Sequence, residues 1–492
     1  MDKKRSIVLR AGDGFLRELR KRQAGAGDNE YQAMALVSKA AGPGQDIYIV
    51  KDAYFPGPAD LKTQTPAGVS PKRAFQAFVY TLAYEQGLSV FDFHTHPWSR
   101  APQLSQIDYR HGERNARYFA RHFPAGATLG LVVFGEGALG FQGIVWNRKE
   151  KRFEEAEALE VLGSRIELVG RRAGVAAVGP EAEDLFARQR LIPGWSQDLL
   201  ERLKVFLVGL GGNGALVFQS LVSMGAGRKG WIKACDPDIV EPSNLPRIPY
   251  ADARHIGCTK AEVASAYARI KDPKVNVLCY RAGIQDVQAQ EMAKEAHLLI
   301  AAPDNDGARK LCNRLSVRHL VPMISLGTEI IPSGTKAQSI AQVRTVLPGR
   351  SGCLMCCGVL DVNAAAYDLL DKAQRNGHAR PGYVRGTDET PAASVLPLNG
   401  VTGNLALIQM MRIIMGEGAC GKEFIHYDAE TSSILVAAAE PNHECPVCGR
   451  EGFLGMGDAA AAPCELPAAK ALSLDKGVIC QQESACEDGP AP

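Results

Sequence analysis

Residues 205–216 read VFLVGLGGNGAL: an apolar strand running into Gly209-Leu-Gly211-Gly212-Asn-Gly214 and on into a helical start. Few folds accept that order. Glycines let the backbone turn tightly and approach a ligand, and the N–H groups at the head of a helix face an anion. Strand, glycine turn and helix together make the phosphate-binding corner of a parallel α/β sheet. The next strand, WIKACDP, ends on Asp236, 22 residues past Gly214, where a ribose-binding carboxylate belongs. HLLIAAPD supplies a later strand, and helical segments alternate with the strands, so the sheet is expected to be mostly parallel. On these residues alone a Rossmann dehydrogenase remains open.

The motifs downstream of Asp236 argue against hydride transfer. DPDIVEPSNLPR, GCTKAE and PDNDGAR place Asn244, Arg247 and Lys260 near the nucleotide phosphates and Asp304 near magnesium. Cations and a metal beside a triphosphate suit adenylyl transfer, where negative charge builds on phosphate oxygens. From about 186 to 450 these motifs resemble the ThiF/MoeB and ubiquitin-activating-enzyme adenylation family. That resemblance implies ATP and Mg2+, condensed with the C-terminal glycine carboxylate of a ubiquitin-like (β-grasp) protein to give an acyl-adenylate and pyrophosphate. It assigns Gly209, Gly211, Gly212 and Gly214 to the phosphate loop, Asp236 to the ribose, and Asn244, Arg247 and Lys260 to the phosphates. Asp304 would place magnesium and the attacking carboxylate. ARQRLIPGW resembles the family's opening segment, whose arginine, here Arg188, reaches into the partner subunit's site, so a homodimer is implied.

The N-terminal part carries different chemistry. LSVFDFHTH reads as a strand, and SQIDYRHGERNARYFARHF as a polar helix. Alternate strand residues share a face, so His94 and His96 can serve one site. Asp108, in the first turn of the next helix, adds a carboxylate. Two imidazoles and a carboxylate leave a fourth position open on zinc, the catalytic arrangement. Ser105 can hold an oxyanion or cap its helix. The set Glu30, His94-x-His96-Pro97 and Ser105-x-x-Asp108 resembles the JAMM (MPN-plus) metallopeptidases. The resemblance implies zinc on His94, His96 and Asp108, Glu30 taking the proton from water, and Ser105 stabilising the tetrahedral intermediate. Eight residues separate His96 from Ser105, one more than the family pattern. The implied substrates are isopeptide or peptide bonds after the tail of a ubiquitin-like protein; a unit that only binds the modifier is the non-catalytic alternative.

Cys353-x-x-Cys356 and Cys445-x-x-Cys448 are two pairs able to close a four-thiolate, structural zinc site. The adenylation family places a zinc there. The cysteine that would accept the acyl group should precede the helix begun by TPAASVLPLNGVTGNLALIQMM, and that stretch has none. Three fates stay open: direct transfer of the adenylate to a partner, an oxyester on Ser394 or Thr390, or another cysteine such as Cys357, Cys464, Cys480 or Cys486.

At 492 residues, 46% hydrophobic and 22% charged, the chain is long enough for two or three globular domains. Its 56 basic and 54 acidic residues give a net charge of +2, which makes no case for nucleic acid or an anionic membrane. No apolar run is long enough to span a bilayer, and MDKKRSIVLRAGDG lacks an export core. A cytoplasmic chain is expected, in which 13 cysteines speak for metal and thiol chemistry.

The fold class expected is α/β: a JAMM-type metallopeptidase domain at 1–160, a linker at 161–185, a Rossmann-like ThiF adenylation domain with structural zinc at 186–458, and a flexible tail at 459–492. Such fusions are typical of bacterial ubiquitin-like conjugation systems, several of them antiphage, with a conjugating enzyme as a further partner. Sulfur-carrier activation and processing is the alternative.

Overall fold

The computed structural model describes residues 5–138, 140–170, 184–333, 336–369, 393–416, 419–459 and 478–479. They form two compact units, parted between the end of the first sheet and Asp184.

The first unit is one large mixed sheet. Its strands are β1 (Ser6–Gly12), β2 (Gln32–Ala41), β3 (Gln45–Tyr54), β6 (Ser89–Thr95), β7 (Leu129–Phe134), β8 (Phe141–Asn147), β9 (Arg152–Glu155), β10 (Ala158–Leu162) and β11 (Glu167–Gly170). The order across the sheet is β11-β10-β1-β3-β2-β6-β7-β8-β9, and Val478–Ile479 adds a short pairing to β3. A separate hairpin, β4 (Leu61–Thr65) with β5 (Gly68–Pro71), lies between β3 and the second helix in sequence.

Alternation along β6 sorts its side chains. Phe91 and Phe93 join the core under α1 (Asp13–Ala26), with Phe15, Leu16 and Leu19. Val90 joins the opposite core, under α2 (Arg73–Gln86) and α3 (Gln106–His122), with Val79, Phe119 and Leu131. Asp92 and His94 share the face of Val90. Residues expected to be linker, 161–185, begin inside this sheet, because β10 pairs in parallel with β1 and β11 closes on β10. Leu159 and Val161 of β10 enter the core, and Arg10 donates to Glu160 at 2.7 Å across the β1–β10 register. Helix α2 begins at Arg73, directly after β5 and Lys72.

The second unit is the parallel sheet with an antiparallel extension. Its strands are β12 (Lys204–Val208), β13 (Trp231–Cys235), β14 (Val277–Tyr280), β15 (Leu298–Ala301), β16 (Met323–Ser333), β17 (Lys336–Val346), β18 (Phe424–Asp428) and β19 (Ser433–Ala437). The order is β14-β13-β12-β15-β16-β17-β18-β19. The first five run parallel, and β16 to β19 form antiparallel pairs. Chain order reverses between β12 and β15, the switch point at which such sheets open a crevice at the strand ends. The helices of this unit include α4 (Ala187–Arg190), α5 (Gln197–Arg202), α6 (Gly212–Met224), α7 (Lys260–Lys271) and α8 (Val287–Lys294). They continue with α9 (Asp306–His319), α10 (Val362–Asp368) and α11 (Leu396–Met415). Residues 450–458, expected in the adenylation domain, belong instead to the first unit. There the Ser38 hydroxyl donates to Gly455 O at 2.6 Å, and Asp458 accepts from Ala41 N at 2.8 Å. The rest of the expected tail, 460–477 and 480–492, with Cys464, Cys480 and Cys486, lies outside the described residues, as does Thr390.

No helix among the described residues is long and apolar enough to cross a membrane.

Candidate functional site

The glycine loop of the second unit is shaped by contacts that only glycine permits. Gly209 has φ +91°, and a Cβ there would lie 2.5 Å from the carbonyl oxygen of Ala302 at the end of β15. A Cβ on Gly214 would collide with Gly209 O. β12 and β15 therefore meet the head of α6 with no room between them. Leu210 N donates to Asp236 Oδ2 at 2.7 Å, and Asp238 N donates to Oδ1 at 2.9 Å. Asp236 thus braces the loop from the end of β13.

Lys260, the first residue of α7, brings its ammonium to 2.7 Å from Asp238 and 3.8 Å from Asp236. Burial raises the Asp236 carboxyl above its ordinary value, and Lys260 works against that rise. Arg247 packs its Cδ 3.5 Å from where a Cβ on Gly212 would sit, and its Nε is buried with no hydrogen-bond partner among the described residues. Asn244 is buried and holds Glu241 N through Oδ1 at 3.3 Å. Asp304, just past β15, is exposed, and its carboxylate accepts from Asn305 at 3.1 Å. Arg188 is exposed on α4. The structure therefore gathers the four glycines, Asp236, Arg247 and Lys260 at the switch point.

In the first unit, antiparallel pairing sets Gln32 opposite His94, so Glu30 enters beside the end of β6. The β4–β5 hairpin pins it there: Glu30 N donates to Thr65 O at 3.0 Å, and Gln64 donates to Glu30 O at 3.1 Å. Glu30 Oε1 lies 3.5 Å from His96 Nε2. His94 Nε2 lies 3.8 Å from Asp108 Oδ2. Ser105 caps α3 in a reciprocal box with Asp108, accepting from Asp108 N at 3.2 Å while Ser105 N donates to Asp108 Oδ2 at 2.7 Å. The cap delivers the Asp108 carboxylate to the histidines, so Ser105 has a structural duty whether or not it also meets an oxyanion. Ligand atoms of His94, His96 and Asp108 all lie within 4.8 Å of one another. They line a cleft of about 470 Å3 with Glu30, Asp92 and Trp98.

Burial drives the charges in this cleft. Glu30 is pushed up to about 7, by burial first and then by Asp108. His94 is pushed down to about 4 by burial, against the pull of Asp108. The His94 Nε2 atom is buried with no hydrogen-bond partner among the described residues. A neutral imidazole with an unused nitrogen facing a second imidazole and a carboxylate is the donor set that zinc takes. Asp92 is a member of the cleft that the sequence motifs do not single out. It is held by the Gln32 amide and pushed up to about 7 by burial. The period-two alternation that pairs His94 with His96 also reaches Asp92, and is the signal that could have found it.

The four cysteines meet as expected. Sγ atoms of Cys353 and Cys356 are 3.8 Å apart, Cys353 and Cys445 3.7 Å, and Cys356 and Cys448 3.2 Å. A tetrahedron of thiolates about 2.3 Å from zinc has edges of about 3.8 Å, so the set fits that ion. Cys357 stays outside the cluster. Replacing Cys445 by serine is expected to lower the thermal midpoint by about 10 °C, or 3–4 kcal/mol in a unit of this size. An unchanged midpoint together with unchanged zinc content would remove the structural role.

Residues 186–447 match the model of the ThiF family. A SAMP-activating enzyme E1 of Haloferax volcanii is 25% identical over 301 residues, 61% of this chain and 95% of the relative. A sulfur carrier protein adenylyltransferase of Thermus thermophilus is 30% identical over 280 residues, 55% of this chain and 92% of the relative. A molybdopterin-synthase adenylyltransferase of Escherichia coli is 28% identical over 273 residues, 54% and 96%.

Proposed function

The chain belongs to the ThiF family, and on that premise we propose that its second unit adenylates the C-terminal glycine of a ubiquitin-like or sulfur-carrier protein with ATP and Mg2+. The supporting observation is the glycine loop locked between Ala302 and Asp236, with Lys260 and Arg247 beside it. The glycine carboxylate oxygen attacks the α-phosphorus, the bond to the bridging oxygen breaks, and pyrophosphate leaves. Lys260, Arg247 and Asn244 meet the charge that builds on the phosphate oxygens. Asp236 holds the ribose, and Asp304 places Mg2+ and the incoming carboxylate. Arg188 completes the site of a second copy in a homodimer. The adenylate then passes directly to a partner, a conjugating enzyme in a bacterial, antiphage setting.

The first unit, in this reading, is a zinc peptidase that trims the modifier's precursor or removes it from conjugates. His94, His96 and Asp108 would hold the metal, which supplies a water of pKa about 7 and a polarised carbonyl. Glu30 takes the proton of the attacking water and returns it to the leaving amine. Ser105 steadies the oxyanion. Cys353, Cys356, Cys445 and Cys448 would hold a second, structural zinc.

The relative named for a sulfur carrier favours a second reading, in which the adenylate receives sulfur. ATP–pyrophosphate exchange with candidate β-grasp proteins tests the core of both. Exchange that needs a C-terminal glycine is expected, and none with any such protein would sink the reading. Mass analysis of the product then separates a thiocarboxylate from a conjugate.

A further inference from the structure

Helix α11 buries several polar side chains, and Asn399, in its first turn, is 1% exposed. A buried carboxamide is costly unless its polar atoms are paired. These are paired, and the partners come from outside the helix. Nδ2 donates to Ser394 Oγ at 3.1 Å. Oδ1 accepts from Thr328 Oγ1 of β16 at 3.4 Å. Thr328 Oγ1 in turn accepts from Asn213 Nδ2, in the first turn of α6, at 3.4 Å. The amide is pressed onto the glycine loop itself: a Cβ on Gly212 would collide with it. One turn further along α11, Gly403 lets the helices approach, with Leu216 and Val217 of α6 only 3.5 Å from where its Cβ would be.

Two buried groups at the same corner have no hydrogen-bond partner among the described residues, Asn213 Oδ1 and Arg247 Nε. The N–H groups of α6's first turn are the donors a phosphate uses. A side chain that fixes that turn from behind therefore acts on phosphate binding without touching the phosphate. We propose that Asn399 is a positioning residue for the nucleotide's phosphates, tying the first turn of α6 to β16 and to Ser394 so that the loop donors and Arg247 are set before ATP arrives. The inference rests on reading this unit as an ATP-dependent adenylating enzyme.

The test uses the full chain and needs no modifier. Binding of Mg-ATP and of adenosine is measured by calorimetry for the wild type, Asn399→Asp, Asn399→Leu and Thr328→Val. Asn399→Asp keeps the shape but sets a carboxylate against the loop. Asn399→Leu fills a similar volume and makes no hydrogen bond. Both are expected to weaken ATP binding about tenfold while changing adenosine binding less than about twofold, since only ATP carries the phosphates. Thr328→Val removes the bridge without altering α11, and decides the matter should either Asn399 variant fail to fold; a loss of about threefold for ATP alone is expected. Equal loss for ATP and adenosine would make Asn399 merely structural and overturn the proposal. So would ATP affinity within about twofold of wild type in a folded Asn399→Leu. Failure of the wild-type chain to bind ATP is a separate result, and sinks the adenylation reading beneath the inference.

Discussion

Replacing Lys260 by methionine is expected to slow ATP–pyrophosphate exchange by about 10²–10³-fold, the usual cost of deleting one preset charge where negative charge develops. The ammonium sits 2.7 Å from Asp238, whose side chain is 55% exposed, and only 3.8 Å from the buried Asp236. Its bond to the exposed carboxylate is worth little, about 1 kcal/mol or less. It can therefore leave Asp238 for a phosphate oxygen at small cost. Methionine keeps the packing of the stem and removes only the charge. Two effects must be separated. Asp236, buried and stripped of its cation, would rise further and loosen the brace on Leu210 N, which would show as a higher KM for ATP. Lost stabilisation of the transition state would show in kcat and kcat/KM together. Exchange within about threefold of wild type would mean that Lys260 belongs to the fold and not to the reaction.

Glu30→Gln is expected to abolish cleavage of a modifier fused to a reporter protein, by about 10²–10⁴-fold, while zinc content stays at the wild-type level. The carboxylate is 3.5 Å from His96 and belongs to no metal-ligand set among the described residues, so glutamine should preserve the site and remove its base. His94→Gln is expected to lose both zinc and cleavage, because His94 Nε2 is buried with no hydrogen bond among the described residues. A Glu30→Gln chain as active as wild type would refute the base assignment. A zinc-loaded wild type that cleaves no fusion would instead leave the first unit as a binding module for the modifier.

The glycine corner and the histidine strand are legible in the sequence because each is a local pattern. Four loop glycines and two alternating histidines dictate their own geometry whatever surrounds them. The β10–β11 stretch is not legible. AEALEVLGSRIELVG, with three glutamates, spans the expected domain end at 160 and the start of the expected linker, but Glu160 pairs with Arg10, which lies 150 positions away in sequence. A charge partner at that distance leaves no mark on a local window. The β4–β5 hairpin escapes for the opposite reason: LKTQTPAGVSP has too few apolar residues to show a period, and its strands serve to pin Glu30 rather than to fill a core. Asn399 is one of several polar residues in a mostly apolar helix, and nothing local sets it apart. Its meaning lies in Gly212 and Thr328, which only the folded sheet brings to it.

The cleft of the first unit is attached to the chain in two ways, and they differ in what a change of chain length would do. Glu30 and the histidines hang on β2 and β6, whose register fixes Gln32 opposite His94. One residue inserted between Glu30 and Gln32 would turn Glu30 toward the other side of the sheet. Asp108 instead hangs on a helix cap whose bonds run only from Ser105 to Asp108. Residues 97–104 join the two and are held along the way: Glu136 N donates to Ser99 O at 2.7 Å, and Leu104 N donates to Gln142 Oε1 at 2.8 Å. The residue by which this stretch exceeds the JAMM spacing that it resembles lies in that segment. An insertion in that segment is expected to leave the cap between Ser105 and Asp108 intact, whereas one beside Gln32 changes the face that Glu30 presents.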